Sequence, residues 1–224
     1  GEAWLSLDKE CVAGLEGFCR AHGLTQATVL LGAYALMLGR LSRLDEIVIG
    51  SVRSGRSSAL PEVEVERGVG LFIDTMPLYL ELSAGQSLVQ WLQALQAEQA
   101  VQETHAHFGL TAAQALTPFA GTPLFEALFV YANYPAPQGE RKFGDLQIQS
   151  VGGEDGAHYP VSLSVIPSER LTMRLSFDRS RIDQAQGEQL IERLGELLRG
   201  LPSHAQTSLK AVPLLQAQER LSLI

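Results

Sequence analysis

The side chains best suited to chemistry stand in short polar stretches that interrupt apolar runs. Ser54, Gly55 and Arg56 form one such stretch, in which a hydroxyl, a backbone amide and a guanidinium together suit an anion such as phosphate. A strand-ending turn in which Arg56 pairs with an acidic neighbour explains the same residues equally well. Asp74 and Thr75 interrupt a second apolar run, where a buried carboxylate requires either a specific partner or a polar tunnel.

Two patterns that would indicate a self-contained active site are incomplete. His105 and His107 stand two residues apart, but two ligands do not form a metal site, and no third ligand accompanies them, so we predict no metal. Ser51, Ser54 and Ser57 lie near glycines, yet none stands in a GxSxG elbow and no separate His/Asp pair is identifiable. The sequence therefore argues against metal catalysis and against an autonomous serine hydrolase.

Composition narrows the class of partner. A net charge of -8 repels a phosphate backbone, and the basic residues form no stripe interleaved with aromatics, so we expect no nucleic acid and no membrane as partner. No apolar run approaches the ~20 residues of a membrane span. Cys11 and Cys19 fall in one predicted helix, roughly 12 Å apart along its axis, which is too far for a disulfide. A chain without disulfides favours a cytoplasmic location.

Capping residues mark the predicted helices. Ser6 is a candidate N-cap for a first helix that Gly23 ends, and Thr25 begins a second helix that is apolar on nearly every side and extends to about residue 41. Two later helices begin with capping boxes, in which a Ser or Asp is followed by Gln three residues on; these begin at Ser87 and Asp183. A further short helix is predicted between residues 111 and 120.

Strand-like runs alternate with these helices. They are rich in β-branched and aromatic residues, and we predict strands at Glu46–Ser51, Leu71–Leu82, Leu124–Tyr131, Tyr159–Ile166 and Leu171–Phe177. The last two are expected to form a hairpin through the turn at 167–170. The order of elements predicts an α/β fold in which helices cover a mixed β-sheet.

Several segments, spread over nearly the whole chain, resemble the condensation domains of nonribosomal peptide synthetases. Gly50–Gly70, GSVRSGRSSALPEVEVERGVG, is similar to a family stretch in which a strand ends in an SGR turn and an ELPGVE-like loop follows. Val69–Pro77, VGLFIDTMP, resembles the motif VGxFVNTLP, and Thr122–Tyr134, TPLFEALFVYANY, resembles NPLFxxxFxxxNY. His105–Leu110, HAHFGL, stands where the family has an HxxxPF-like segment. Val212–Leu221, VPLLQAQERL, resembles the linker to an adenylation domain.

The resemblance implies a chloramphenicol acetyltransferase-like lobe. It identifies residues 1–200 with the C-terminal lobe of a condensation domain and residues 201–224 with a linker toward a following adenylation domain. The family signature HHxxxDG is absent from this sequence and belongs to the N-terminal lobe, so we expect no catalytic residue in this chain and no activity from the lobe alone.

In a complete condensation domain, two lobes enclose a tunnel in which an amide bond forms between a donor acyl or peptidyl thioester and an acceptor aminoacyl thioester. The implied partners are the N-terminal lobe, the donor and acceptor carrier proteins and the following adenylation domain. No cofactor is expected to bind directly, because 4′-phosphopantetheine arrives on the carrier proteins.

The resemblance places six residues of this chain in the substrate tunnel: Ser54, Arg56, Asp74, Thr75, Asn133 and Tyr134. The family more often has asparagine at the position of Asp74, so a role of the amide would be altered here. Turn chemistry and a half-buried ring are an alternative explanation of Asn133 and Tyr134.

Two other functions stay open at this point. One is a non-catalytic module that docks carrier proteins or pairs with another lobe. The other is a freestanding acyltransferase homodimer with a site between its chains, against which the absence of HHxxxDG weighs. A single lobe is also expected to expose an apolar face where its partner would pack.

Overall fold

The fold is a mixed β-sheet with helices packed on one of its faces. The computed structural model describes residues 1–54, 73–82, 85–105, 108–118, 121–132, 141–143, 146–148, 159–167 and 170–214. The strands of the main sheet are β1 (Glu2–Ser6), β2 (Glu46–Ser54), β3 (Ile73–Glu81), β4 (Ala127–Tyr131), β7 (Val161–Ile166) and β8 (Thr172–Phe177), and β5 (Arg141–Phe143) and β6 (Leu146–Ile148) form a separate pair. The helices are α1 (Lys9–His22), α2 (Gln26–Ser42), α3 (Leu88–Glu103), α4 (Gly109–Ala115) and α5 (Gln184–Gly200).

Strand order brings several chain ends to one edge of the sheet. The order is β1-β8-β7-β4-β2-β3, in which β2, β4 and β7 are parallel and the other pairings are antiparallel. The carboxyl ends of β2 and β4 therefore lie at the same edge, and β3 begins there because it runs antiparallel to β2. Ligand clefts in sheets of this kind favour such edges.

Side chains alternate between a covered and an open face of the sheet. On the covered face, Ile49, Phe129 and Leu163 occupy adjoining positions on neighbouring strands and join the core under the helices. On the open face stand polar residues and four exposed large side chains: Trp4, Ile73, Tyr79 and Ile166. The predicted mixed sheet covered by helices is thus confirmed; α1, α2, α3 and α5 contribute to the core on the covered face, whereas α4 buries no residue.

The predicted helix starts are confirmed in three of four cases. Thr25 caps α2, and both capping boxes, at Ser87 and Asp183, are formed. The exception is the first helix, which begins after Asp8, whose carboxylate accepts a hydrogen bond from the Cys11 N–H at 2.8 Å. The prediction of a Ser6 cap was wrong because Ser6 ends strand β1, a strand that the sequence patterns did not predict.

The remaining boundaries shift by a few residues. Gly23 ends α1 with φ 65°, as predicted. Strand β2 continues three residues past its predicted end, to Ser54, and α4 begins at Gly109 rather than near Thr111. β7 and β8 form the predicted antiparallel hairpin.

The structure also bears on two sequence expectations, which concern the two cysteines and the possibility of a membrane-spanning helix. Cys11 and Cys19 lie in one helix, α1, as predicted, and both are free. Among the residues that the structure describes, no single helix is long and apolar enough to cross a bilayer. The α1–α2 pair passes that test by length and composition but is bent by 105° at its break.

Replacement of Gly187 by Ala tests the packing of α5 on the sheet. A Cβ at Gly187 would stand 2.2 Å from the ring of Phe177, which is buried between α5 and β8. We expect Gly187→Ala to lower the free energy of unfolding by about 1–3 kcal/mol, measured by urea denaturation, because overpacking exceeds the gain in helix propensity.

Gly14→Ala in α1 is the matched control, since a Cβ there meets nothing within 4 Å. It is expected to raise the free energy of unfolding by about 0.5–1 kcal/mol. Equal effects of the two substitutions would contradict the close contact between α5 and Phe177.

Candidate functional site

A cleft of about 420 Å³ opens at the sheet edge where β2 and β4 end. One wall is the N-terminal turn of α2 and the other is the C-terminal half of α3. Its polar side chains come from Thr25, Thr28, Ser51, Arg53, Gln96, Gln99, Glu103 and Tyr131, and its apolar lining comes from Ala27, Val52, Ala100 and Phe129. The cleft wall is therefore mixed, with polar and charged groups set among apolar surface.

Strand alternation explains why these side chains point into the cleft. In β2, residues 49, 51 and 53 share the covered face, and the series passes from buried Ile49 through buried Ser51 to half-buried Arg53. In β4, Phe129 and Tyr131 follow the same face. The apolar strand interior therefore gives way to polar side chains as each strand approaches the edge.

Hydrogen bonds fix the two walls against each other. The Thr28 hydroxyl donates to Gln99 Oε1 at 2.9 Å, and the Thr25 backbone N–H donates to Gln96 Oε1 at 2.7 Å. The Tyr131 hydroxyl donates to Gln26 Oε1 at 2.8 Å. Burial raises the pKa of Tyr131, with a smaller contribution from Cys19, so the phenol stays protonated and remains a donor at neutral pH.

Glutamines recur at every third position of α3 and tie this helix to its neighbours. Gln93 and Gln96 donate to the carbonyls of His22 and Gly23, each at 2.9 Å, and Gln102 donates to the Pro77 carbonyl of β3 at 3.1 Å. The first two contacts satisfy carbonyls where α1 ends, which otherwise lack partners. The position of α3, and with it one wall of the cleft, is set by these bonds.

Arg53 is the cation of the cleft lining. Its Nη1 donates to the Gln99 carbonyl at 2.7 Å, whereas its Nη2 is buried without a hydrogen-bond partner among the described residues. Burial lowers the pKa of Arg53, and the carboxylate of Glu103 partly offsets this effect. A guanidinium stays charged at neutral pH, so Arg53 offers a donor for an oxygen of a bound molecule.

Asp74 and Thr75 lie at the start of β3, beside the end of β2. Asp74 is directly opposite Arg53 in the ladder, and Thr75 is opposite Val52. Asp74 Oδ1 accepts from the Thr75 N–H at 2.8 Å, and its Oδ2 is buried without a partner among the described residues. Successive residues point to opposite faces, so these two cannot both face the cleft, and neither lines it.

The other predicted tunnel residues are described in part or not at all. Ser54 is the last residue of β2 and pairs with Ile73. The structure describes its backbone position but not its side chain. Arg56, Asn133 and Tyr134 also lie outside them. The structure brings Ser54, Asp74 and Thr75 to one sheet edge, and the tunnel role of all six residues stays a prediction.

Sequence patterns did not single out several residues of the cleft, chiefly Thr28, Ser51, Arg53, Gln99 and Tyr131. Two of them could have been found from the sequence. The alternation of a strand places Ser51 and Arg53 on the same face as Ile49, which is buried. Thr28 and Gln99 belong to different helices, and no local pattern brings them together.

The lining can bind and orient a polar molecule through hydroxyl, amide and guanidinium groups and the carboxylate of Glu103. The described lining residues include no histidine, so the cleft supplies hydrogen bonds rather than an imidazole base. Among the residues with described positions, no group of three or more His, Cys, Asp or Glu side chains is arranged to hold a metal ion.

Comparison with known proteins gives the same family at the level of sequence and of fold. A family model of the condensation domain matches residues 2–224. One polypeptide of the linear gramicidin synthase of Brevibacillus parabrevis is 32% identical over 221 residues, which are 98% of this chain and 3% of that protein. Chondramide synthase of Chondromyces crocatus is 31% identical over 219 residues, which are 97% of this chain and 6% of that protein. The chain therefore spans a small part of the length of these relatives.

Solved structures share the fold. A four-domain nonribosomal peptide synthetase bound to AMP and glycine matches with a TM-score of 0.84 at 15% identity, over 98% of this chain and 18% of that one. The first condensation domain of the calcium-dependent antibiotic synthetase, in complex with a substrate analogue, matches with a TM-score of 0.74 at 18% identity, over 96% of this chain and 47% of that one. Because the family model covers nearly every residue and the fold agrees, this chain belongs to the condensation-domain family.

Proposed function

We propose that this chain is the C-terminal lobe of a condensation domain that forms an amide bond between two carrier-bound thioesters. The observation that carries the proposal is the cleft at the shared edge of β2 and β4, beside which the described parts of the two family-like segments, residues 50–54 and 73–77, pair with each other. The chain spans 47% of a solved condensation-domain chain, which suits one lobe of two.

In the proposed reaction, the acceptor amine nitrogen attacks the carbonyl carbon of the donor thioester. The C–N bond forms, the C–S bond breaks, and the proton lost by the amine passes to the departing thiolate. The imidazole of HHxxxDG on the other lobe serves as the base or orients the amine. The present lobe contributes position, because holding two reactants in register replaces a bimolecular encounter by an intramolecular step.

The cleft residues suit a polar, extended substrate. The amides of a phosphopantetheine arm offer carbonyl oxygens to Arg53 and N–H groups to the oxygens of Thr28 or Gln99. Orienting such an arm needs neither a nucleophile nor an imidazole base on this lobe. The cleft lining, which contains no histidine among the described residues, agrees with that role. Asp74, next to Arg53 in the ladder, keeps its proposed place in the tunnel at the same edge.

The open face of the sheet supports the pairing of lobes. Trp4, Ile73, Tyr79 and Ile166 stand on this face with exposed fractions of 55%, 47%, 54% and 43%. They lie on β1, β7 and β3, and aromatic side chains such as Trp4 and Tyr79 are enriched in protein–protein contacts. We infer that another lobe covers part of it, and that the chain by itself self-associates as its concentration is raised.

Reconstitution of the two lobes tests the proposed reaction. The chain is mixed with a separately purified HHxxxDG lobe encoded immediately upstream and with two carrier proteins loaded with acyl and aminoacyl thioesters. We expect the amide product, detected by mass spectrometry of the acceptor carrier protein, only when both lobes are present. Replacement of the second histidine of the HHxxxDG motif by Ala on the added lobe is the control and should abolish the product.

Binding of the two lobes without product would contradict the enzymatic proposal and support the non-catalytic docking module instead. Product from this chain without the added lobe would contradict the assignment of the catalytic base to the other lobe. The two failures are separable, because binding is measured by analytical ultracentrifugation and turnover by mass spectrometry.

Arg53→Met in the reconstituted enzyme tests the role of the cleft. Methionine fills similar space but donates no hydrogen bond, so we expect amide formation to slow at least about tenfold, as for the loss of a charged hydrogen bond of about 1.5–3 kcal/mol. The substitution also removes the bond from Nη1 to the Gln99 carbonyl, so we expect the free energy of unfolding to fall by about 1.5–3 kcal/mol, and the rate is compared on protein that circular dichroism shows to be folded.

Arg20→Met is the matched control. Arg20 pairs with Glu16 at 3.6 Å on the exposed surface of α1, so we expect this substitution to leave the rate of amide formation unchanged. A rate for Arg53→Met within about twofold of the unsubstituted chain would remove the cleft from the proposed reaction path.

A further inference from the structure

The chain beyond α5 turns back across the lobe and packs against it. Residues 201–214 contain two short 3-10 helices, Leu201–His204 and Leu209–Ala211. Three of its apolar side chains are as buried as any in the core, with exposed fractions of 1% for Leu201, 0% for Leu209 and 1% for Val212. Burial of this extent is typical of an integral part of a domain rather than of a solvated linker.

Arg40 holds the far end of this segment. It lies in the last turn of α2, and its two terminal nitrogens donate separately, Nη1 to the Val212 carbonyl and Nη2 to the Leu209 carbonyl. Those carbonyls belong to the second 3-10 helix and to the residue after it, and the Leu209 carbonyl also accepts from the Val212 N–H at 3.4 Å. The guanidinium is a rigid fork with donors set apart, so one side chain bonds to both carbonyls.

The near part of the segment caps α3. Leu88 and Val89 are the first two residues of α3, and their N–H groups have no partner within the helix. Their N–H groups donate to the carbonyls of Thr207 at 2.9 Å and Ala205 at 3.1 Å. In return, the Leu209 N–H donates to the Gln86 carbonyl at 3.0 Å. Segment and helix therefore satisfy each other's backbone groups.

We propose that residues 201–214 form a strap that is part of the folded lobe, and that Arg40 is the residue that locks it. The stretch predicted from residue 201 onward as a linker thus begins with fourteen residues that pack on the lobe, with bonds to α2 and to the start of α3. This inference rests on the contacts alone and is independent of the proposed reaction.

Hydrogen exchange on the full chain, followed by mass spectrometry, tests the strap. In the unsubstituted chain we expect the amides of residues 205–212 to exchange at least about a hundredfold more slowly than in an unfolded peptide. In Arg40→Met, this protection should fall at least about tenfold, because two hydrogen bonds to a charged group are lost. Protection in β7 and β8, whose pairing does not involve the two carbonyls that Arg40 contacts, should stay within about twofold.

Two further variants keep the test decisive. Arg40→Lys retains the charge but donates from a single point, so its loss of protection should lie between those of the unsubstituted chain and Arg40→Met. Arg20→Met, an exposed arginine of α1, should leave the strap unchanged. Unfolded-like exchange of residues 205–212 in the unsubstituted chain, or unchanged protection in either Arg40 variant, would overturn the proposal. Should Arg40→Met fail to fold, the unsubstituted chain and Arg40→Lys decide it.

Discussion

One-sided burial of a single sheet is the constraint on which the rest of this structure depends. The helices cover one face, so each strand must hold its register to keep alternate residues on the correct side. In β2, a slip of one residue would move Ile49 out of the core and turn Arg53 away from the cleft. The same register sets Arg53 opposite Asp74 and Ser51 opposite Phe129. Core, cleft and open face therefore follow from one pairing pattern.

Features with local causes were predictable from the sequence, and features that depend on distant pairing were not. Thr25, Ser87 and Asp183 each cap a helix through contacts within three residues, so the pattern sufficed. β1 was missed because its partner β8 lies at the far end of the chain, with Glu2 opposite Ser176. The Ser6 cap failed for the same reason, since the strand ending at Ser6 competes for the residues before the helix.

The candidate site also has features that could be predicted from local sequence and features that depend on residues distant in the chain. Family-like motifs pointed to Ser54, Asp74 and Thr75, which the structure brings to one sheet edge beside the cleft, but a motif does not give the face on which each side chain lies. The cleft itself joins two helices and two strands through pairs such as Thr28 with Gln99, which are 71 positions apart. Arg53 Nη2 and Asp74 Oδ2 are buried without partners among the described residues, and buried polar atoms left unpaired are costly for stability.

Helix α3 connects the strap, the sheet and the cleft. Its first turn donates to carbonyls of the strap, its Trp91 indole donates to the Glu81 carbonyl of β3 at 2.9 Å, and its last turns line the cleft. Glutamines along its length bond to the end of α1 and to β3. A helix of this length spans about 24 Å. The strap at its first turn and the wall of the cleft at its last turns are therefore joined by one continuous, hydrogen-bonded element.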